Sequence, residues 1–196
     1  REMGIAPDVS IIGSVGRLEP IKGYEVMIDA FARLRARGEH TPPPVLVLVG
    51  DGSERAGLER AASTLGVADS VRFVGWRSDI ERITRSFTIF SMSSHSEGTS
   101  VSLLEAMSSG LCPVVTNVGG NSAVLGPDLS HRLVPAADPD SMALALSDAI
   151  RDTAALRRDA QIARERIVQQ FGLNAMVDRY EALYSTAADA TRGDGD

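Results

Sequence analysis

Cysteine is almost missing from this chain: Cys112 is the single one among 196 residues. One thiol makes no disulfide within the chain, and neither a CxxC pair nor a zinc-ligand spacing accompanies it. Its setting, Leu111-Cys112-Pro113-Val114-Val115, is apolar, which reads as a buried and unreactive thiol. Long hydrophobic runs are missing as well. The apolar segments are short, Val45 to Val49 being typical, whereas a bilayer-spanning helix needs roughly 20 such residues in a row. No signal peptide opens the sequence, and with no disulfide framework this predicts a cytoplasmic protein. Positive charge is in deficit. A net charge of −6 at pH 7 excludes the basic face of a general nucleic-acid binder, though it leaves room for a phosphate held by two local cations and a helix N-terminus. Lysine occurs once, at Lys22, and no internal repeat is visible.

What is present is ordinary for a globular protein, 43% apolar and 23% charged, and the length suits one well-cored domain, expected over residues 1–188. Residues 189–196, small and charged, are expected to fray. Short Val- and Ile-rich runs alternate with amphipathic ones. Strands are predicted at Val9 to Val15, Val45 to Val49, Val71 to Val74, Thr88 to Met92 and Pro113 to Thr116, with a very short sixth at Leu133-Val134. Helices are predicted at Tyr24 to Arg37, Glu54 to Leu65, Ser78 to Arg85 and Ser100 to Ser109. Three more follow at Asp140 to Ile150, Ala155 to Gln170 and Asn174 to Ala187. This alternation implies an α/β fold, a Rossmann-like parallel sheet with helices on both faces. Its ligand belongs at the carboxyl ends of the strands, near the point where the strand order reverses.

Three segments at such ends carry chemistry. Gly13-Ser14-Val15-Gly16-Arg17-Leu18-Glu19-Pro20-Ile21-Lys22-Gly23 brings two cations to a loop before a helix. Cations oppose the dipole of a helix start, so an anion such as a diphosphate would resolve the conflict. The plainer alternative is two solvated cations paired with Glu19 or Glu25. The second segment runs from Ser94 through Glu97, Gly98, Thr99, Ser100, Val101 and Ser102 to Glu105. Gly98 lets backbone approach a ligand, Thr99 or Ser100 can cap the helix, and the free N–H groups of its first turn form an anion site. Reckoned along a helix, the eight positions from Glu97 to Glu105 span about 12 Å, close to the reach from the sugar to the ribose of a nucleotide sugar. The plainer alternative is a capping box of Ser102 and Glu105. The third segment, Thr116-Asn117-Val118-Gly119-Gly120-Asn121, either lines the same cleft or is a tight turn.

In combination, GRLxxxKG, VGDG, FVGW, the ExxxxxxxE pair, AMSSG with its following strand and GGN resemble the C-terminal domain of family-four retaining glycosyltransferases of the GT-B type, over about Val9 to Tyr184. The resemblance implies a domain that binds a nucleotide-diphosphate sugar as donor substrate, without a metal or other cofactor. Arg17 and Lys22, beside Gly16, match the diphosphate-contacting pair, and with Glu97 they are the expected catalytic groups. Glu97 matches the acid near the transferred sugar and Glu105 the acid on the ribose. Thr99 to Ser102 match the phosphate-binding helix start, and Gly75-Trp76-Arg77-Ser78 the segment beside the base. It also implies an N-terminal acceptor domain that this chain lacks, a glycan or lipid acceptor, and peripheral contact with a membrane through that missing domain. Rival readings are a non-catalytic nucleotide-sugar-binding module and a GT-B sugar-nucleotide epimerase. A phosphorylase would need a lysine for pyridoxal phosphate, and Lys22 already stands in the diphosphate motif.

Two further patterns have simpler explanations. Gly50-Asp51-Gly52-Ser53-Glu54-Arg55 resembles a dinucleotide fingerprint but has Arg55 where a small residue is required. Asp138-Pro139-Asp140 reads as the cap of the helix that follows rather than as a metal-binding pair.

Overall fold

The structure is a computed structural model that describes residues 4–193. Six strands, β1 (Ile11–Val15), β2 (Val45–Val49), β3 (Val71–Gly75), β4 (Ile89–Met92), β5 (Cys112–Thr116) and β6 (Leu133–Val134), form one sheet in the order β3-β2-β1-β4-β5-β6. Every pairing between neighbouring strands is parallel.

The strands have apolar residues on both faces because both faces are covered. On one side Ile12, Leu46, Leu48, Ile89 and Val114 pack against α1 (Tyr24–Ala36), α2 (Arg55–Thr64) and α6 (Pro139–Arg151). On the other, their alternate neighbours Ile11, Val47, Val49, Phe90 and Val115 meet α3 (Ile80–Thr84), α4 (Val101–Ser108), α5 (Asn121–Leu125) and α7 (Thr153–Phe171). Period-two alternation therefore sorts the sheet into two cores. Phe90 is fully buried in the second of them.

All six predicted strands are present. The last helix, α8 (Leu173–Gly193), reaches into the segment expected to fray, and residues 194–196 lie outside the described ones. Two elements went unanticipated after the glycine pair: α5 itself and a 3-10 turn over Pro127–Arg132. The helix-cap reading of Asp138-Pro139-Asp140 holds for Asp138. Asp138 Oδ1 accepts the Ser141 N–H at 3.0 Å and Oδ2 the Ser141 hydroxyl at 2.6 Å, so both oxygens cap α6. Cys112 is buried, and burial pushes its thiol up to about 11, in line with an inert role. No helix among the described residues is long and apolar enough to cross a membrane.

The strand order reverses between β1 and β4, which part company at their carboxyl ends as their loops run to opposite sides. Such a reversal is where an open parallel sheet leaves a crevice for a ligand.

Candidate functional site at the strand reversal

Two loops build the crevice, and backbone hydrogen bonds lock each in place. After β1, Gly16 N–H donates to Val49 O at 3.0 Å and Leu18 N–H to Asp51 O at 3.0 Å, tying this loop to the end of β2. The approach is close enough to demand glycine at Gly50, where a Cβ would fall 1.9 Å from Gly16 O at φ +138°. The chain then makes a 3-10 turn over Pro20–Lys22 that carries Lys22 toward β4. From the β4 side, His95 N–H donates to Ile21 O at 2.9 Å and the Ser93 hydroxyl to Lys22 O at 3.1 Å.

These bonds bring Lys22 onto Glu97, 75 positions away in sequence: Lys22 Nζ donates to Glu97 Oε1 at 2.6 Å. The Ser94 hydroxyl donates to the same oxygen, also at 2.6 Å. The Glu97 side chain is 8% exposed and that of Lys22 22%, so the pair sits at the edge of the interior, where its attraction is only partly screened. The alternative pairing of the two loop cations with Glu19 or Glu25 is not what forms. Glu19 turns to Ser53, accepting its hydroxyl at 2.8 Å, and Glu25 meets His95 at 2.8 Å. The Ser53 bonds, aided by the charge of Arg17, hold the Glu19 carboxyl below its usual range. The Arg17 side chain is exposed, and its guanidinium has no hydrogen bond or ion pair among the described residues, while its backbone carbonyl accepts the Glu19 N–H at 2.9 Å.

Beneath this floor lies Tyr24, the first residue of α1. Burial pushes its phenol up to about 12, against a bond with Ser14 and with a contribution from the Glu97 charge. Its hydroxyl lies 2.9 Å from where a Cβ on Gly16 would be, which explains why the loop is bare there.

Ser100 caps α4, accepting the Leu103 N–H at 3.4 Å, while its own hydroxyl faces Ser102 Oγ at 3.1 Å. The capping box of Ser102 with Glu105 therefore does not form. Glu105 stands exposed on α4; its backbone carbonyl accepts the hydroxyls of Ser108 and Ser109, and its carboxylate has no hydrogen bond or ion pair among the described residues. The helical reckoning between Glu97 and Glu105 also needs correction. The helix begins at Val101, so the stretch from Glu97 to Ser100 is loop, with Ser100 extended at φ −77° and ψ 113°. Gly98 and Thr99 are exposed in that loop, and a Cβ on Gly98 would meet nothing within 4 Å, which leaves room directly before the helix start. Behind the loop, Gly120 N–H donates to Gly98 O at 3.0 Å, and a Cβ on Gly119 would lie 1.7 Å from Glu97 O. The glycine pair is a tight turn, and it supports the Glu97 loop through backbone contacts.

A cavity of about 430 Å³ adjoins the site on the β2–β3 side, lined by Arg17, Gly50, Asp51, Trp76, Arg77 and Ile80 among others. Trp76 is 76% exposed at its mouth. Arg77 grips Asp79 with two parallel bonds of 2.7 Å, and these hold the Asp79 carboxyl below its usual range. Arg17 and Arg77 therefore share this hollow while Lys22 and Glu97 share the crevice at the reversal. Ser94 and Thr116 open two of the segments picked out in the sequence but had no role of their own there, and Tyr24 and Asp79 were not anticipated as parts of the site. Ser94 had a readable signal, a hydroxyl three residues before the acid, whereas Asp79 had none.

Comparison with known proteins agrees with this fold. The family model described as glycosyl transferases group 1 matches residues 1–166. The lipopolysaccharide core biosynthesis glycosyltransferase LpsE of Rhizobium meliloti is 31% identical over 179 residues, which is 91% of this chain and 51% of that protein. The structure of Anabaena HepE in complex with UDP superposes with a TM-score of 0.81 at 25% identity, over 91% of this chain and 49% of that one. The C-terminal domain of a glycosyl transferase group 1 family protein, LpcC, from Francisella tularensis matches with a TM-score of 0.73 at 24% identity, over 84% of this chain and 87% of that one. The chain spans about half the length of the curated relatives it matches. The neighbours share the Rossmann-like architecture of GT-B enzymes.

Proposed function

This chain belongs to the glycosyl transferases group 1 family, and from that premise we propose that it is the donor-binding half of a retaining glycosyltransferase. It takes a nucleotide-diphosphate sugar and passes a hexose-type sugar to a glycan or lipid acceptor presented by an N-terminal domain, in the cytoplasm and without a metal or other cofactor. One observation carries the reading: Lys22, Glu97 and the open start of α4 converge where the strand order reverses.

In this reading the diphosphate lies across the α4 start, where Ser100 leaves N–H groups of the first turn free for oxygen acceptors. A diphosphate carries more negative charge than one carboxylate, so it competes with Glu97 for Lys22. As Lys22 turns to the phosphate, the Glu97 carboxylate is released to the hydroxyls of the sugar. Arg17 meets the other side of the diphosphate from the neighbouring hollow, and Glu105 reaches the ribose. The base enters the cavity between Trp76 and Asp51, beside Arg77. During transfer the bond from the anomeric carbon to the phosphate oxygen breaks and the bond to the acceptor oxygen forms on the same face. The acceptor proton passes to the departing diphosphate. Charge gathers on that leaving group, and Arg17, Lys22 and the α4 start lower the barrier by opposing it.

Isothermal calorimetry with UDP, GDP and ADP tests the donor site. UDP is the first probe, since Anabaena HepE has been solved with UDP and with UDP-glucose. One of the three should bind, and Arg17→Ala or Glu105→Ala should weaken it about tenfold or more, a loss of about 1.4 kcal/mol. Absence of binding by all three would sink the assignment. For the transfer step, product formed by the full-length protein should keep the anomeric configuration of the donor, and an inverted product refutes the retaining mechanism.

A further inference from the structure

Behind Glu97 runs a buried chain of hydrogen bonds. Asn121 Nδ2 donates to Thr116 O at 2.9 Å, Thr116 Oγ1 to Ser94 O at 2.8 Å, and Ser94 Oγ to Glu97 Oε1 at 2.6 Å. Asn121, Thr116 and Ser94 are each 0% exposed. At that burial each hydroxyl or amide has few alternative partners, so each bond fixes an orientation. The chain starts at the first residue of α5, passes through the last residue of β5, and ends in the loop after β4. It couples three elements to one carboxylate.

The two bonds that Glu97 receives fall on the same oxygen, Oε1, and Oε2 has no hydrogen bond among the described residues. The two donors differ in kind. Lys22 is long, mobile and, on the reading above, drawn to the diphosphate. Ser94 is short, buried and anchored from behind. When Lys22 leaves, Ser94 remains.

We propose that Ser94 is a positioning residue for Glu97, holding Oε1 from behind so that Oε2 faces the donor sugar, with Thr116 and Asn121 fixing Ser94 in turn. The role at the sugar rests on the donor-site reading. The hold on the carboxylate does not, and the test separates the two.

Lys22 is the sole lysine in the sequence, so reductive methylation with [13C]formaldehyde gives one dimethyl-lysine resonance beside that of the α-amine. This signal reports directly on the Glu97 ion pair. Ser94→Ala should move it toward its position in Glu97→Gln, Thr116→Val should move it the same way by less, and Thr116→Ser should leave it in place. Ser94→Ala and wild-type resonances that coincide overturn the proposal. Thr116→Val keeps the question open to measurement if Ser94→Ala fails to fold.

Calorimetry then addresses the sugar, with UDP and UDP-glucose as probes. Ser94→Ala should keep its affinity for UDP within about twofold and lose about tenfold for UDP-glucose, as expected for a bond to a charged group. Equal losses on both ligands, or none on either, overturn the role at the sugar. If the wild-type chain binds neither, the donor-site reading fails by itself, and the lysine resonance still decides whether Ser94 governs Glu97.

Discussion

At the scale of single residues, two glycines of the site have opposite environments and should respond oppositely to the same change. A methyl on Gly119 would lie 1.7 Å from Glu97 O, at a φ of +50° that alanine adopts with strain. Gly119→Ala is expected to push the Glu97 loop away, lowering stability by about 1–3 kcal/mol and donor affinity as well. A methyl on Gly98 meets open space. Gly98→Ala is expected to leave stability within about 0.5 kcal/mol while obstructing the donor. Thermal unfolding with and without UDP checks both, and the idea fails if Gly98→Ala destabilises as much as Gly119→Ala. The open space at Gly98 was legible in sequence, because a glycine between an acid and a helix cap has a local meaning. The role of Gly119 was only half legible. Its turn could be read, but the carbonyl it supports lies 22 positions back, across the β4–β5 crossover.

At the scale of elements, the sheet was legible because its strands are apolar on both faces and each is followed by a helix-spaced run. What could not be read were short pieces whose reason is tertiary. α5 has five residues after a glycine pair, with too few turns to show a period, and it is held by burial of Val124 and Leu125 against the sheet. The pairing of Lys22 with Glu97 was likewise beyond sequence, since Lys22 also had nearer partners in Glu19 and Glu25. α4 was legible to within a residue at each end, and the structure settles which hydroxyl caps it. Ser100→Ala removes the acceptor for Leu103 N–H and should cost about 1 kcal/mol, or roughly 2–4 °C in Tm for a chain of this size. The same change loosens the first turn of α4, so UDP should raise Tm less than it does in wild type. An unchanged response to UDP would mean that the cap matters for stability alone.

At the scale of the molecule, the pH dependence of folding should turn on a carboxylate remote in sequence from every donor-site motif. Asp159 of α7 is 1% exposed and accepts Arg132 Nη2 at 2.7 Å and His131 Nε2 at 2.8 Å. These bonds tie the longest helix of the second core to the turn that feeds β6. Burial alone would raise the Asp159 carboxyl, but the His131 and Arg132 bonds outweigh it and hold the group below its usual range. A carboxyl depressed in the folded state contributes stability that is complete above its unfolded value, about 3.9, and is lost as pH falls through the lower folded value. Asp159→Asn keeps the shape and removes the charge, leaving Arg132, itself only 6% exposed, without its counter-ion. Breaking a buried pair in this way costs about 3–5 kcal/mol, so Tm at pH 7 should fall by roughly 10 °C. Below about pH 4 the wild-type protein loses the same contribution, and the two unfolding curves should draw together. Thermal unfolding of both proteins from pH 7 to pH 3 measures this directly. A gap that stays constant down to pH 3 would assign the stability to packing at α7 rather than to the charge on Asp159.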